Sequence, residues 1–147
     1  MVKARPLVKK DFDLWKPIWL DNMQHQVSDE ITASTWQKIC DKKELVYGLG
    51  LFDDKELLGI LHYILHPTTG ALNPVCYMQD LFVAEKHRRK GYARELLREL
   101  ALKGKEERWE RIYWIAANNN KQAQALYQNI GVKLDFSLHV LPLKVVV

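Results

Sequence analysis

A chain of 147 residues, 48% of them hydrophobic, can close one core without staples, so a single domain over 1–147 is expected. Its 22 Lys and Arg against 18 Asp and Glu leave a net charge of only +4, which says little about a dedicated nucleic-acid binder; where the basic residues sit matters more. Cys40 and Cys76 have no CxxC spacing, which argues against a disulfide framework or a zinc cluster. With no apolar leader and no run of about 18 apolar residues, the chain reads as cytoplasmic, with no membrane partner.

Val2 to Pro6 predicts a short first strand ended by proline, and Asp11 a cap for a helix whose Leu14, Trp15, Ile18 and Trp19 share one face. A second short helix is expected at Thr35 to Ile39. Leu45 to Phe52 and Leu57 to His66 flank Asp53-Asp54-Lys55 as a hairpin. The run LLGILHYILH is apolar at both parities, as in a strand covered on both faces. After a loop at Pro67 to Pro74, CYMQDLFV (76–83) is again too apolar for a sheet edge. From Gly91 the period changes: Ala93, Leu96, Leu97, Leu100 and Ala101 make the apolar stripe of an amphipathic helix. Arg111 to Ala116 follows as a strand, Lys121 to Ile130 as a helix stopped by Gly131, and Phe136 to Val147 as extended segments broken at Pro142. A long helix between the fourth and fifth strands predicts a right-handed crossover, hence a parallel pair in an otherwise antiparallel sheet.

The loop AEKHRRKGYARELL carries Arg88, Gly91 and Ala93 in an R-x-x-G-x-A spacing at a helix start. A helix N-terminus leaves four amides unpaired and holds about half a positive charge, so it can bind phosphate through the backbone. Gly91 and Ala93 keep the approach open, while Arg88, Arg89, Lys90 and Arg94 supply cations for a ligand with several phosphates. A solvated basic helix start would look the same if this motif stood alone. No G-x-x-x-x-G-K-[ST] is present, and Gly48 with Gly50 lacks the third glycine of a dinucleotide fingerprint.

A second block, NKQAQALYQNIGV, places Asn120, Ala123, Leu126, Tyr127 and Gly131 in an N-x-x-A-x-x-L-Y-x-x-x-G spacing. Together with LFVAEKHRRKGYARELL and the opening RPLVKKDFD, it closely resembles the signature blocks of the GNAT acetyltransferase superfamily over nearly the whole chain. That resemblance implies an α/β fold with a mixed, mostly antiparallel six- to seven-stranded sheet, a V-shaped splay between strands 4 and 5, and about four helices. It implies acetyl-coenzyme A as cosubstrate, with no metal, and transfer of acetyl to a primary amine by direct attack in a ternary complex. Backbone atoms of Leu81, Phe82 and Val83 would pair with the pantetheine arm beside a bulged strand 4. The segment Arg88, Arg89, Lys90, Gly91, Tyr92, Ala93, Arg94 would hold the pyrophosphate. Asn120 would bond the coenzyme or the adjoining loop, and Tyr127 would stand close to the thioester sulfur.

Attack on a thioester creates an oxyanion that a backbone N–H near Leu81 would stabilise by ~3 kcal/mol. A phenol at Tyr127, ordinarily with a pKa of about 10, suits a general acid for the leaving thiolate, although a helical Leu-Tyr pair also reads as core packing. The amine, ordinarily with a pKa of about 10.4, must lose a proton to a carboxylate, a histidine or a water chain, and Asp80 is the first candidate. Polyamine acetyltransferases that this strand resembles commonly carry glutamate at the position of Gln79, and an amide cannot take that proton. The Q-D-L-F-V strand instead resembles relatives whose acceptors are amino acids, other small amines or histone-like lysines.

Other residues carry weaker signals. His62 and His66 are four apart, but in a strand, where structural or pocket roles outweigh metal binding. Cys76 is assigned to packing. Trp15, Trp19 and Trp36 read as core or pocket wall. Asp21, His25, Asp29 and Glu30 read as attractors for a cationic acceptor or as an exposed loop. The competing functions are a coenzyme-binding sensor or subunit of this fold without efficient catalysis, and a nucleic-acid module on Lys86 to Arg94, which lacks interleaved aromatics apart from Tyr92. The apolar tail Val145-Val146-Val147 is compatible with a homodimer paired through C-terminal strands.

Overall fold

The structure, a computed structural model, describes residues 1–144. The chain forms two compact units, Met1–Ile115 and Ala116–Val147.

The first unit is built on a five-stranded sheet in the order β1 (Val2–Pro6), β2 (Val46–Asp53), β3 (Glu56–His66), β4 (Val75–Val83) and β5 (Ile112–Tyr113). All neighbours are antiparallel except β4 and β5, which are parallel as the crossover pattern requires. Asp54, with φ +54°, turns the β2–β3 hairpin in the left-handed region that Asp tolerates better than most side chains. The apolar run on β3 is sandwiched as expected: Leu57, Leu58, Ile60, Leu61, His62 and Tyr63 are all buried.

Two helices pack one side of this sheet. Helix α1 (Phe12–Asn22) buries Trp15, Ile18 and Trp19 in a cluster with Leu7, Phe52, Leu57 and Ile60. Helix α2 (Asp29–Cys40) starts on Ser28, whose Oγ accepts the Ile31 N–H at 3.1 Å, and adds Trp36 and Ile39 to the cluster. This helix is two turns longer at its start than the sequence suggests, because the Ser28 cap lies before the apolar period begins. The glycines of β2 belong to this packing: a Cβ at Gly50 would stand 2.7–2.8 Å from Phe52, Leu57 and Leu7. Asp11 does not act as the expected cap for α1. Its carboxylate accepts two bonds from the Arg5 guanidinium, at 2.8 and 2.9 Å, and one from the Val8 N–H, clamping β1 to the helix start.

The opposite side is covered by α3 (Tyr92–Glu107), which buries Leu96, Leu97, Leu100 and Gly104. Trp109 follows it, packing against Tyr63 and closing over Gly104, where a Cβ would lie 2.8 Å from the indole.

The strand expected at Arg111 to Ala116 shrinks to two residues. Its ladder with β4 stops at the Tyr77–Tyr113 pair, one residue short of Met78, beyond which β4 carries a bulge. The second unit holds α4 (Lys121–Gln128), after which the Gly131 N–H bonds the Tyr127 carbonyl at 2.8 Å. Residues 129–144 contain no strand, so the described sheet has five strands rather than six or seven. Phe136, Leu138, Val140 and Leu143 are strongly exposed there, without the ladder partner that would make the alternating pattern a strand. Val145-Val146-Val147 lies outside the described residues.

Candidate active site

The site begins with a single extra residue. On β3, Tyr63 faces Met78 and His62 faces Asp80, leaving Gln79 unpaired and exposed as a β-bulge. Side chains normally alternate, so residues 78 and 80 should share a face; the bulge reverses this. Met78 joins Tyr63 on the α3 side, and Asp80 joins His62 on the α1 side. A bulge in strand 4 is what the family resemblance implies.

Asp80 is tied down at both oxygens. His62 Nδ1 lies 2.9 Å from Oδ2, and Asn22 Nδ2, at the end of α1, donates to Oδ1 at 3.1 Å. Behind it, the Trp15 indole Nε1 donates to His62 Nε2 at 3.0 Å. Because indole N–H can only donate, His62 Nε2 must accept, and the ring proton sits on Nδ1. The His62–Asp80 contact is therefore a neutral imidazole on a carboxylate rather than an ion pair. The His62 side chain is 3% exposed and that of Asp80 16%, so the carboxylate alone reaches the surface.

Beyond Tyr77, the outer edge of β4 has no ladder partner among the described residues. Leu81, Phe82 and Val83 pair only inward, with Leu61, Ile60 and Gly59. An unpaired edge offers backbone donors and acceptors to an extended ligand, the geometry of an added strand.

At the end of β4 the chain turns through Glu85–His87 into the basic loop. Arg88 folds back: its Nε donates to the Val83 carbonyl at 3.0 Å and its guanidinium lies over the Phe82 ring, 5.0 Å from the centroid. Lys86 and His87 both approach Glu56, at 3.1 and 3.2 Å. Arg89, Lys90 and Arg94 remain exposed without a salt bridge among the described residues. Arg89 and Gly91 adopt φ of +65° and +80°, and Gly91 caps α3 with no side chain on the first-turn amides. A Cβ at Gly91 would meet nothing within 4 Å, so backbone conformation and not crowding calls for glycine here. Tyr92 and Ala93 sit half-buried in the first turn. Open space, bare amides and three unpaired cations fit a polyanionic ligand.

Asn120 and Tyr127 belong to the second unit. Asn120 caps α4, its Oδ1 accepting the Ala123 N–H at 3.1 Å. Tyr127 lies within that helix, and burial raises its phenol above the ordinary value, keeping it protonated through neutral pH. Cys76 is fully buried in the sheet, its thiol pushed up to about 12 by that burial, which makes it inert. His66 Nε2 lies 2.8 Å from the Tyr113 hydroxyl, four residues further along β3 than His62. Asp21 and His25 pair with one another at 2.8 Å, and Asp29 and Glu30 fill the first turn of α2, all as local structure. Among the described residues no group of three His, Cys, Asp or Glu could hold a metal.

These features match known proteins. Residues 10–132 fit the acetyltransferase (GNAT) family. The D-amino-acid N-acetyltransferase HPA3 of Saccharomyces cerevisiae is 30% identical over 148 aligned positions, covering 95% of this chain and 92% of that protein. A ribosomal-protein-alanine N-acetyltransferase from Brucella melitensis biovar Abortus 2308 shares the fold with a TM-score of 0.80 at 21% identity, covering 97% of this chain and 99% of that one. The aminoglycoside N-acetyltransferase AAC(6')-Iy, solved with coenzyme A, superposes with a TM-score of 0.83 at 14% identity, over 97% of this chain and 94% of that one. The chain belongs to the acetyltransferase (GNAT) family and is an N-acetyltransferase by class.

Proposed function

We propose that the protein transfers acetyl from acetyl-coenzyme A to a primary amine on a small molecule or amino acid, with Asp80 accepting the amine proton. The observation that carries this reading is the Gln79 bulge, which turns a carboxylate onto the α1 side beside the unpaired edge of β4. The D-amino-acid acceptor in the name of the yeast relative supports an amino-acid class of substrate. A lysine side chain in a peptide is chemically equivalent at the reacting nitrogen and belongs in the same test.

In this reading the coenzyme's phosphates rest on the first turn of α3, with Gly91, Tyr92 and Ala93 offering backbone and Arg89, Lys90 and Arg94 offering charge. Arg88 acts one step back, bracing the end of β4 through Val83 and Phe82. The pantetheine arm follows the edge at Leu81 to Val83. Asp80 takes a proton from the ammonium, and the freed lone pair bonds to the thioester carbonyl carbon. A backbone N–H near Leu81 steadies the oxyanion, an interaction of ~3 kcal/mol at such sites. The C–S bond then breaks, Tyr127 gives its proton to the leaving sulfur, and the second nitrogen proton passes to water as the amide forms.

The free thiols of Cys40 and Cys76 support a reducing cytoplasm as the place of action. Exposed Phe136, Leu138 and Val140 support pairing of two copies, which light scattering on the eluted protein tests. Function is tested by coenzyme A release on a panel of polyamines, L- and D-amino acids, aminoglycosides and lysine peptides, with Tyr127→Phe as control. Turnover of one class, reduced in the variant, supports the reading. Tight coenzyme binding with no amine acetylated would make the protein a coenzyme-binding one instead.

A further inference from the structure

We propose that His62 is a positioning residue for this reaction: held neutral and Nδ1-protonated by the Trp15 indole, it fixes the Asp80 carboxylate without cancelling its charge. The inference deepens the assignment of Asp80 as proton acceptor and rests on it. Three contacts carry it in series, Trp15 Nε1 to His62 Nε2 at 3.0 Å, His62 Nδ1 to Asp80 Oδ2 at 2.9 Å, and Asn22 Nδ2 to Asp80 Oδ1 at 3.1 Å.

A histidine beside an aspartate ordinarily invites a second proton, and the imidazolium so formed neutralises the pair. Here that proton has nowhere to go. Nε2 already faces an N–H, and a protonated ring would set donor against donor inside a stack formed by Trp15 and Trp19, whose centroids lie 6.0 and 5.7 Å from the imidazole. The pair therefore keeps a net charge of −1, located on Asp80. Each oxygen of a carboxylate has two acceptor positions, and one on each is filled by His62 or Asn22. The remaining positions are set in direction by those two bonds.

The substrate chemistry follows from that charge. A carboxylate held ionised and oriented at the surface end of a buried chain attracts an ammonium and then removes its proton. The acceptor class is thus an amine that arrives as a cation, rather than a weakly basic aryl amine or a hydroxyl. Asn22 links this site to the end of α1, so the helix that builds the aromatic core also aims the carboxylate.

Kinetics and nitrogen NMR on the full chain test the proposal. His62→Leu is expected to lower kcat about ten- to a hundredfold, the scale of a small misplacement of a reacting group, with coenzyme A affinity by calorimetry unchanged. His62→Gln, whose amide can both accept from Trp15 and donate to Asp80, is expected to recover most of that loss. Trp15→Phe keeps a ring in the core but removes the indole donor, and is expected to reduce kcat less than His62→Leu. The two-bond proton–nitrogen spectrum of the wild-type protein, which depends on no variant folding, is expected to show His62 as a neutral Nδ1–H ring. Wild-type kcat in folded His62→Leu and Trp15→Phe, or an Nε2–H or doubly protonated His62, overturns the proposal. Asp80→Asn separates the two ideas: full activity there removes the proton acceptor itself, whereas loss there with unaffected His62 variants removes only the positioning role.

Discussion

Neighbouring residues of β3, His62 and Tyr63, are both 2% exposed, yet they face different surroundings. His62 looks toward α1, where both its ring nitrogens are hydrogen-bonded and the chain of bonds ends on the Asp80 carboxylate, which reaches the surface. Tyr63 looks toward α3: it pairs with Met78 across the ladder and packs on the rings of Tyr47 and Trp109, in the apolar half of the core. One sheet thus divides its labour by face: the α3 side supplies rigidity, and the α1 side uses part of that rigidity to hold polar groups at fixed angles.

The largest effect expected from this division is on Asp80. Asp80→Asn keeps the shape and the bond from His62 but cannot take a proton, so kcat should fall about 10²- to 10⁴-fold while the melting temperature moves little. Equal losses in rate and stability would show that the two faces do not act separately. Leu100→Ala, on the other face, should destabilise the fold by about 2–5 kcal/mol through the cavity it leaves, with kcat per folded molecule retained. Denaturant titration alongside initial rates reads both.

Gly91→Ala tests the end of α3. Holding alanine at the φ of +80° costs about 1–2 kcal/mol, and relaxation away from it disturbs the amides offered to phosphate. The expected result is weaker coenzyme A binding by about tenfold, read by calorimetry, with amine preference unchanged.

The smallest effect is that of acid on the Arg5–Asp11 clamp. The hydrogen bonds from Arg5 hold the Asp11 carboxyl below its ordinary value of 3.8, against an opposing push from burial. A depressed carboxylate contributes stability that is complete above the unfolded value and lost as pH falls through the folded one. Unfolding midpoints of wild type and Asp11→Asn should therefore differ above pH 4 and converge below it. A gap that persists at pH 2 would show that Asp11 acts by shape and not by charge.

Much of this molecule was legible in the chain itself. The α3 stripe announces a long amphipathic helix because leucines at 96, 97 and 100 repeat with its period, whereas Gly91, which reads as room for phosphate, is called for by its φ of +80°. The two-sided apolarity of LLGILHYILH likewise places β3 inside the sheet. What stayed hidden depends on register. His62 reads as a structural or pocket histidine, but its partner shows only when a one-residue slip pairs it with Asp80, and no local signal in CYMQDLFV says that Gln79 stands outside the ladder. Asn22 is invisible for a related reason, since its partner lies 58 residues away. Arg88, which reads in the sequence as a cation for phosphate, also sets its Nε on the Val83 carbonyl and its guanidinium over Phe82, contacts that charge counting does not reveal.

The bulge at Gln79 also makes β4 two half-strands of opposite phase. Removing that residue would not merely shorten the strand: it would invert the facing of one half against the other, driving Asp80 toward the leucines of α3 or Met78 toward His62. A deletion there should be far more damaging than any substitution, because the side chain at 79 is exposed while the peptide unit itself sets which face the following residues of β4 present.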